Sequence, residues 1–219
     1  MYVNQVKKMP RPSKFTREQL QSAALEIVDQ EGLGALSMRT LASSLGTGAM
    51  TIYNYVSDRA DLEALLVEAV MLKASWDGSE RSDWKEDVRA IALAFWKAAR
   101  LHPNVIPLIL TRRSFSPAFL DPSEALLRAL VKSGRSGLDL LVAFRTVSGF
   151  SMGIAQAELA GPLSSSQDES SEETISRFLS LPKERYPLLI EIANSAKSSS
   201  PEEEFISGLN IILEGLSKD

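Results

Sequence analysis

At 219 residues, 44% of them hydrophobic, the chain is long enough for one large domain or two modest ones with a sizeable core, which excludes a disordered tail. It contains no cysteine and one histidine, His102, which excludes disulfide frameworks, thiolate nucleophiles, cysteine zinc sites and most histidine-based catalytic or metal constellations. A net charge of −4 argues against a general polyanion binder, yet the charge is segregated: Lys7, Lys8, Arg11, Lys14 and Arg17 all precede the first carboxylate, Glu18, while acid collects from Asp168 to Glu173 and from Glu202 to Glu204.

Only the front of the molecule therefore suits phosphate. Met1 to Lys14 lacks the apolar core of a signal peptide, and no run of about eighteen consecutive apolar residues occurs, so the expectation is a cytoplasmic protein with no membrane partner. Met1 to Phe15 holds two prolines and scattered charge and reads as an extended basic arm. Such an arm is either a solvated tail or a contact to the minor groove or phosphates.

Thr16 and Gln19 make a capping box for a first helix whose inner face is Leu20, Ala24, Ile27 and Val28, with Gly32 as its stop. Ser37 caps a second helix with Leu41, Ala42 and Leu45 inward, ended by Gly46 in a left-handed conformation. A third helix follows Thr47-Gly48, buries Ile52 and Val56, and offers Ala49, Met50, Thr51, Tyr53, Asn54 and Tyr55 outward. Two short helices around a glycine corner are the pattern that sets the second helix in the major groove of DNA. Ser57 is predicted to cap a fourth helix, with Leu62, Leu65, Leu66 and Ala69 on one face, linking this unit to the rest.

After Asp77-Gly78-Ser79 the pattern restarts with a helix over Trp84 to Arg100, which His102-Pro103 breaks into a short helix near Val105 to Leu110. Asp121-Pro122-Ser123-Glu124 reads as the start of a helix reaching Lys132 or Ser133. Leu138 to Ala160 is the central helix of the second domain, Gly161 to Glu172 a mobile loop, and Arg185 to Ala196 and Pro201 to Ser217 the last two helices. With no strand pattern, the expected fold is all-α. A three-helix DNA-binding domain over residues 1–60, with residues 1–15 as its arm, joins a larger ligand-binding and dimerisation domain over 61–219.

Gly32, Leu36-Ser37-Met38-Arg39-Thr40-Leu41-Ala42, Leu45-Gly46, Thr51-Ile52-Tyr53-Asn54-Tyr55 and Arg59-x-x-Leu62 together resemble the N-terminal motif of the TetR family. Trp84 to Arg113 and Glu204 to Leu216 resemble the ligand domain of that family's tetracycline repressors. The resemblance implies a homodimeric transcriptional regulator, a repressor released from pseudo-palindromic operator DNA by a small molecule, with no enzymatic activity and no cofactor or metal. It makes Tyr53 a phosphate contact and Arg39 and Arg59 contacts from flanking helix ends, with Ser37 and Met38 beside Arg39 at the helix entrance. By chemistry, Asn54 suits adenine, and Thr51, Met50 and Ala49 suit thymine methyls. The bland alternative for Tyr53-Asn54-Tyr55 is an ordinary amphipathic turn.

Gly149-Phe150-Ser151-Met152-Gly153 matches the nucleophile elbow of α/β-hydrolases, but that fold needs a histidine after the serine and a strand before it, and His102 precedes Ser151. The ladder Gly149, Gly153, Ala157 and Gly161 instead leaves a smooth stripe for close helix approach. In the resembled family this helix and the last one build the dimer, which makes Gly149, Gly153, Ala157, Leu209, Ile212, Leu213 and Leu216 the expected interface; a close contact inside one subunit is the alternative. Phe95, Trp96, Arg112, Arg113, Gln156 and Glu158 are candidates for an effector pocket, although core packing or surface charge explains each as well. The tetracycline repressors bind a magnesium–drug complex with ligand-domain histidines; here Ile109 and Ala74 stand where such side chains are expected, so tetracycline is not the expected effector.

Overall fold

The computed structural model of the chain describes residues 14–79, 81–112, 114–160 and 171–217. Residues 1–13 with Lys7, Lys8 and Arg11, as well as Arg113, the side chain of Glu158, and the segment 161–170 with Gly161, lie outside the described residues. All regular structure among the described residues is helical. The chain divides into two compact units, Met1–Leu62 and Glu63–Asp219.

In the first unit, α1 spans Arg17–Glu31, α2 Met38–Ser44 and α3 Ala49–Ile52. The Thr16 hydroxyl accepts from the Gln19 N–H at 3.3 Å, and the Gln19 side chain accepts from the Thr16 N–H at 2.8 Å, so two otherwise orphaned donors at the start of α1 are satisfied together. Ser37 and Thr40 repeat the device at α2, at 3.1 and 2.8 Å. Gly32 and Gly46, at φ of 80° and 61°, take the left-handed backbone that ends each helix. Leu20, Ala24, Val28, Leu41 and Ile52 fill the space between the three helices.

Helix α4 spans Arg59–Met71, crossing the boundary between the units. Its cap is Asp58 rather than the expected Ser57: the Asp58 carboxylate accepts from the Asp61 N–H at 2.9 Å, and the Asp61 carboxylate accepts from the Ser57 N–H at 3.0 Å. A carboxylate is the stronger acceptor at a helix N-terminus, where it also meets the positive end of the dipole.

The second unit holds α5 (Trp84–Leu101), α6 (Ile106–Thr111), α7 (Pro117–Lys132), α8 (Gly137–Ala160), α9 (Ser171–Leu179), α10 (Pro187–Ala196) and α11 (Pro201–Gly215). Helix α5 packs on α7 and α8, α11 covers α8 and α5, α6 lies on α8, and α9 pairs with α10. At the centre, the Trp96 ring stacks on Phe205 at 4.8 Å between centroids, and Phe150 tilts against Phe205 at 5.5 Å. Gly208 makes room for this: a Cβ there would lie 2.6 Å from Phe150 Cζ.

Two boundaries differ from the sequence reading. Helix α7 begins at Pro117, with Pro122 inside it, because Ser116-Pro117 supplies the same proline-first start five residues earlier. Helix α9 had no expected counterpart, and its Ser171 and Glu172 fall where the loop was expected to continue.

Asp87, 5% exposed on α5, joins the start of that helix to the end of α7. It accepts from the Arg81 N–H at 2.9 Å and from Lys132 Nζ at 3.0 Å. Burial pushes its carboxyl upward, but those two hydrogen bonds and the attraction of the Lys132 and Arg81 charges outweigh it and hold the group below the ordinary aspartate range.

Candidate nucleic-acid interface and ligand cavity

The glycine corner of the first unit sorts its side chains by where their hydrogen bonds go. Arg39 and Asn54 are exposed, Met50 is 78% exposed and Tyr53 50% exposed. The spacing of 50, 53 and 54 sets the last three on one side of the α3 turn. Ser37, Met38, Ala49 and Thr51 are half-buried. Thr47 Oγ1 accepts from Lys14 Nζ at 3.2 Å and donates to Thr51 Oγ1 at 3.1 Å.

Tyr55 and Arg59 sit differently from the rest. The Tyr55 hydroxyl accepts from the Phe15 N–H at 2.8 Å, and the two rings lie 6.4 Å apart, so this half-buried tyrosine anchors the root of the arm. The Arg59 guanidinium donates to the Leu36 carbonyl and, at 3.1 Å, to the Leu33 carbonyl, bracing the turn before α2. Helix α3 is also one turn long instead of continuing through Tyr55, since Asn54 and Tyr55 close tight turns back to Thr51 and Ile52 at 3.3 and 2.8 Å.

In the second unit a cavity of about 250 Å³ is lined from α4 by Met71, from α5 by Phe95, from α6 by Ile109 and from α7 by Phe119 and Ser123, while α8 supplies Phe144, Ser148, Ser151 and Met152. Of the expected pocket residues that are described, only Phe95 is in this wall. Trp96, one residue on and about 100° around the helix, points into the core against Phe205. Arg112 is held outside by Glu63 at 2.5 Å, and Gln156 is absent from the described wall. Phe144 and Ser148 were not among the expected pocket residues, and Ser151 was weighed only as a hydrolase nucleophile, although their three- and four-residue spacing along α8 marks one helical face.

A second cleft of about 300 Å³ lies between the starts and ends of α5 and α7, among Trp76, Arg81, Asp87, Glu124, Arg128 and Lys132. Its described basic groups are already matched: Arg81 pairs with Asp77 at 2.9 Å, Arg128 with Glu124 at 3.3 Å and Lys132 with Asp87 at 3.0 Å.

Ser151 lies mid-helix in α8, 3% exposed, with its hydroxyl donated to the Val147 carbonyl at 2.9 Å; no strand feeds it, so the elbow motif is coincidental. Gly149 and Gly153 are exposed, and a Cβ at either would meet nothing within 4 Å in this protomer. Ala157 is exposed as well, and the row continues through Val142 and Leu138. Residues 137–157 are long and apolar enough by composition alone to cross a membrane, a consequence of being apolar on the core side and on this open side. Leu209 and Leu213, expected at the dimer interface, are instead fully buried in the protomer's own core with Phe205. The open side of α11 carries Ile211, 72% exposed, while Ile212 and Leu216 are half-buried against the core.

Residues 78–219 match the family model described as the tetracyclin repressor-like C-terminal domain. The chain belongs to the TetR family. It is 30% identical over 152 residues to the HTH-type transcriptional repressor DrrR1 of Streptomyces coeruleorubidus, a match covering 68% of this chain and 56% of that repressor. The chain thus spans little more than half the length of that relative. It is 28% identical over 207 residues to the class E tetracycline repressor of Escherichia coli, covering 94% and 92% of the two chains. The solved structure of the TetR family protein ActR of Streptomyces coelicolor in complex with actinorhodin superimposes with a TM-score of 0.72 at 26% identity, over 92% of this chain and 96% of that one. These relatives are transcriptional regulators and not enzymes, and the TetR fold accounts for both units seen here.

Proposed function

We propose that the chain is a cytoplasmic, homodimeric transcriptional repressor that binds a pseudo-palindromic operator and leaves it when a small molecule enters the cavity of the second unit. One observation carries this reading: Arg39, Met50, Tyr53 and Asn54 project to solvent around a corner held rigid by the Ser37–Thr40 capping box and Gly46. A rigid corner with exposed basic, aromatic and amide groups suits phosphates and base edges together. Ser37, Met38, Ala49 and Thr51 complete the DNA-facing set; Tyr55 and Arg59 support it from behind by holding the arm and the preceding turn.

A lone corner with so few hydrogen-bonding side chains discriminates poorly, so two copies are required, reading half-sites about one helical turn apart or a modest multiple of it. The second copy covers the open sides of α8 and α11, around Gly149, Gly153, Ala157 and Ile211. The cavity is the effector site, a role supported by the ActR complex with actinorhodin. Helix α4 carries the chain from one unit into the next, and Met71 near its end lines the cavity, which gives a bound molecule a lever on the reading unit. A tenfold loss of operator affinity requires about 1.4 kcal/mol of difference in ligand affinity between the two arrangements.

Fluorescence anisotropy with labelled intergenic DNA from beside the chain's own gene, in excess unrelated competitor DNA, tests the reading. Retention that falls steeply as salt rises, and survives competitor, is expected. Equal affinity for the competitor would refute sequence-specific recognition.

A further inference from the structure

We infer that the cavity takes an uncharged, rigid, fused-ring aromatic molecule that presents a hydroxyl to Ser148. The inference rests on the reading of this cavity as the effector site and adds the chemistry of what enters it.

The described wall is aromatic and thioether-rich, with Phe95, Phe119 and Phe144 beside Met71 and Met152, and it carries no formal charge. An ionised group moved into it would give up hydration with no counter-charge among the described lining residues, a loss that apolar contacts do not offset. The charged pair of Glu63 with Arg112 lies outside the wall and is self-neutralised. Aromatic faces and sulfur atoms favour the faces and edges of flat rings. A flexible chain of equal area would lose rotamer freedom on entry, which favours a rigid ligand. At about 250 Å³ the cavity is small for a ligand site, matching roughly two or three fused rings.

Its polar groups are three serine hydroxyls with unequal commitments. Ser123 donates its proton to the Phe119 carbonyl at 2.8 Å and Ser151 donates to the Val147 carbonyl at 2.9 Å, so both are left as acceptors. Ser148, one turn after Phe144, makes no such bond and has no hydrogen-bond partner among the described residues. Among the described wall residues it is the one hydroxyl free to accept and to donate, and a ligand hydroxyl can do the same in return.

Isothermal titration of the full chain at neutral pH with 2-naphthol, 2-methoxynaphthalene and naphthalene-2-carboxylate tests this, with a Ser148→Ala variant in parallel. The expected result is that 2-naphthol binds about tenfold more tightly than the carboxylate and severalfold more tightly than the methyl ether. Ser148→Ala should erase most of the naphthol's advantage over the ether while leaving the melting temperature unchanged. Equal or tighter binding of the carboxylate, an undiminished naphthol affinity in Ser148→Ala, or no binding of any of the three would overturn the inference. Release of labelled intergenic DNA, followed in the same solutions, separates this from the effector reading: naphthol bound with that selectivity but without release refutes only the effector role. Carboxylate bound with release refutes only the ligand class.

Discussion

The Glu63 carboxylate, 7% exposed on α4, meets the Arg112 guanidinium just beyond the end of α6 at 2.5 Å. The contact ties α4 to the element that contributes Ile109 to the cavity. Arg112→Ala would remove a positive charge beside a buried carboxylate, and because the arginine is 48% exposed the expected cost is about 1–3 kcal/mol rather than that of a fully buried pair. Urea unfolding of Arg112→Ala, Glu63→Gln and the double variant should show the two losses to be less than additive. Full additivity would mean that the pair contributes nothing.

Arg39→Ala and Tyr53→Ala should weaken DNA binding with little change in melting temperature, since both side chains are exposed. If Arg39 meets a phosphate, its loss should reduce the salt slope of log K by about 0.9. Arg59→Ala should do the reverse first, destabilising the reading unit by about 1.5–3 kcal/mol through loss of its bonds to the Leu33 and Leu36 carbonyls. Paired melting and anisotropy measurements distinguish the two classes; a stable Arg59→Ala with weakened binding would move Arg59 to the DNA side.

Gly208→Ala forces a methyl against the Phe150 ring and should cost about 1–3 kcal/mol in denaturant unfolding. Gly153→Leu meets open space within the protomer, so its effect should fall on association instead. Light scattering should report a shift toward monomer at unchanged helicity. An intact dimer would place the partner's surface elsewhere.

Asp87 ties stability to pH. Its folded carboxyl is held below the ordinary range, so its contribution is fully present above that range and is lost as the pH falls through the folded value. Lys132→Met leaves the Arg81 N–H bond but removes a hydrogen bond and a charge that help it outweigh burial, so thermal unfolding should become acid-sensitive at higher pH than wild type. Identical acid profiles would show that Lys132 does not hold the group down.

The reading unit was largely legible because its signals are local: Thr16 with Gln19, Ser37 with Thr40, and the left-handed Gly32 and Gly46 each act within a few residues. The structural partners of Tyr55 and Arg59, Phe15 and the Leu33 and Leu36 carbonyls, escaped the sequence because they are distant along the chain. In the second unit, α11 is apolar on more than one side. Its periodicity therefore did not reveal that Leu209 and Leu213 pack inward while Ile211 faces out. The same ambiguity put Trp96 in the pocket beside Phe95, where only tertiary packing separates the two.

The central claim is that two copies of the glycine corner read one operator. A DNase footprint across the intergenic region beside the gene tests it most directly. The account predicts two protected half-sites related by a two-fold axis and spaced by about one helical turn or a small multiple, with protection lost in Tyr53→Ala at equal protein stability. Uniform coating of the DNA, or the same two-fold protection in the Tyr53→Ala and Arg39→Ala variants, would contradict it.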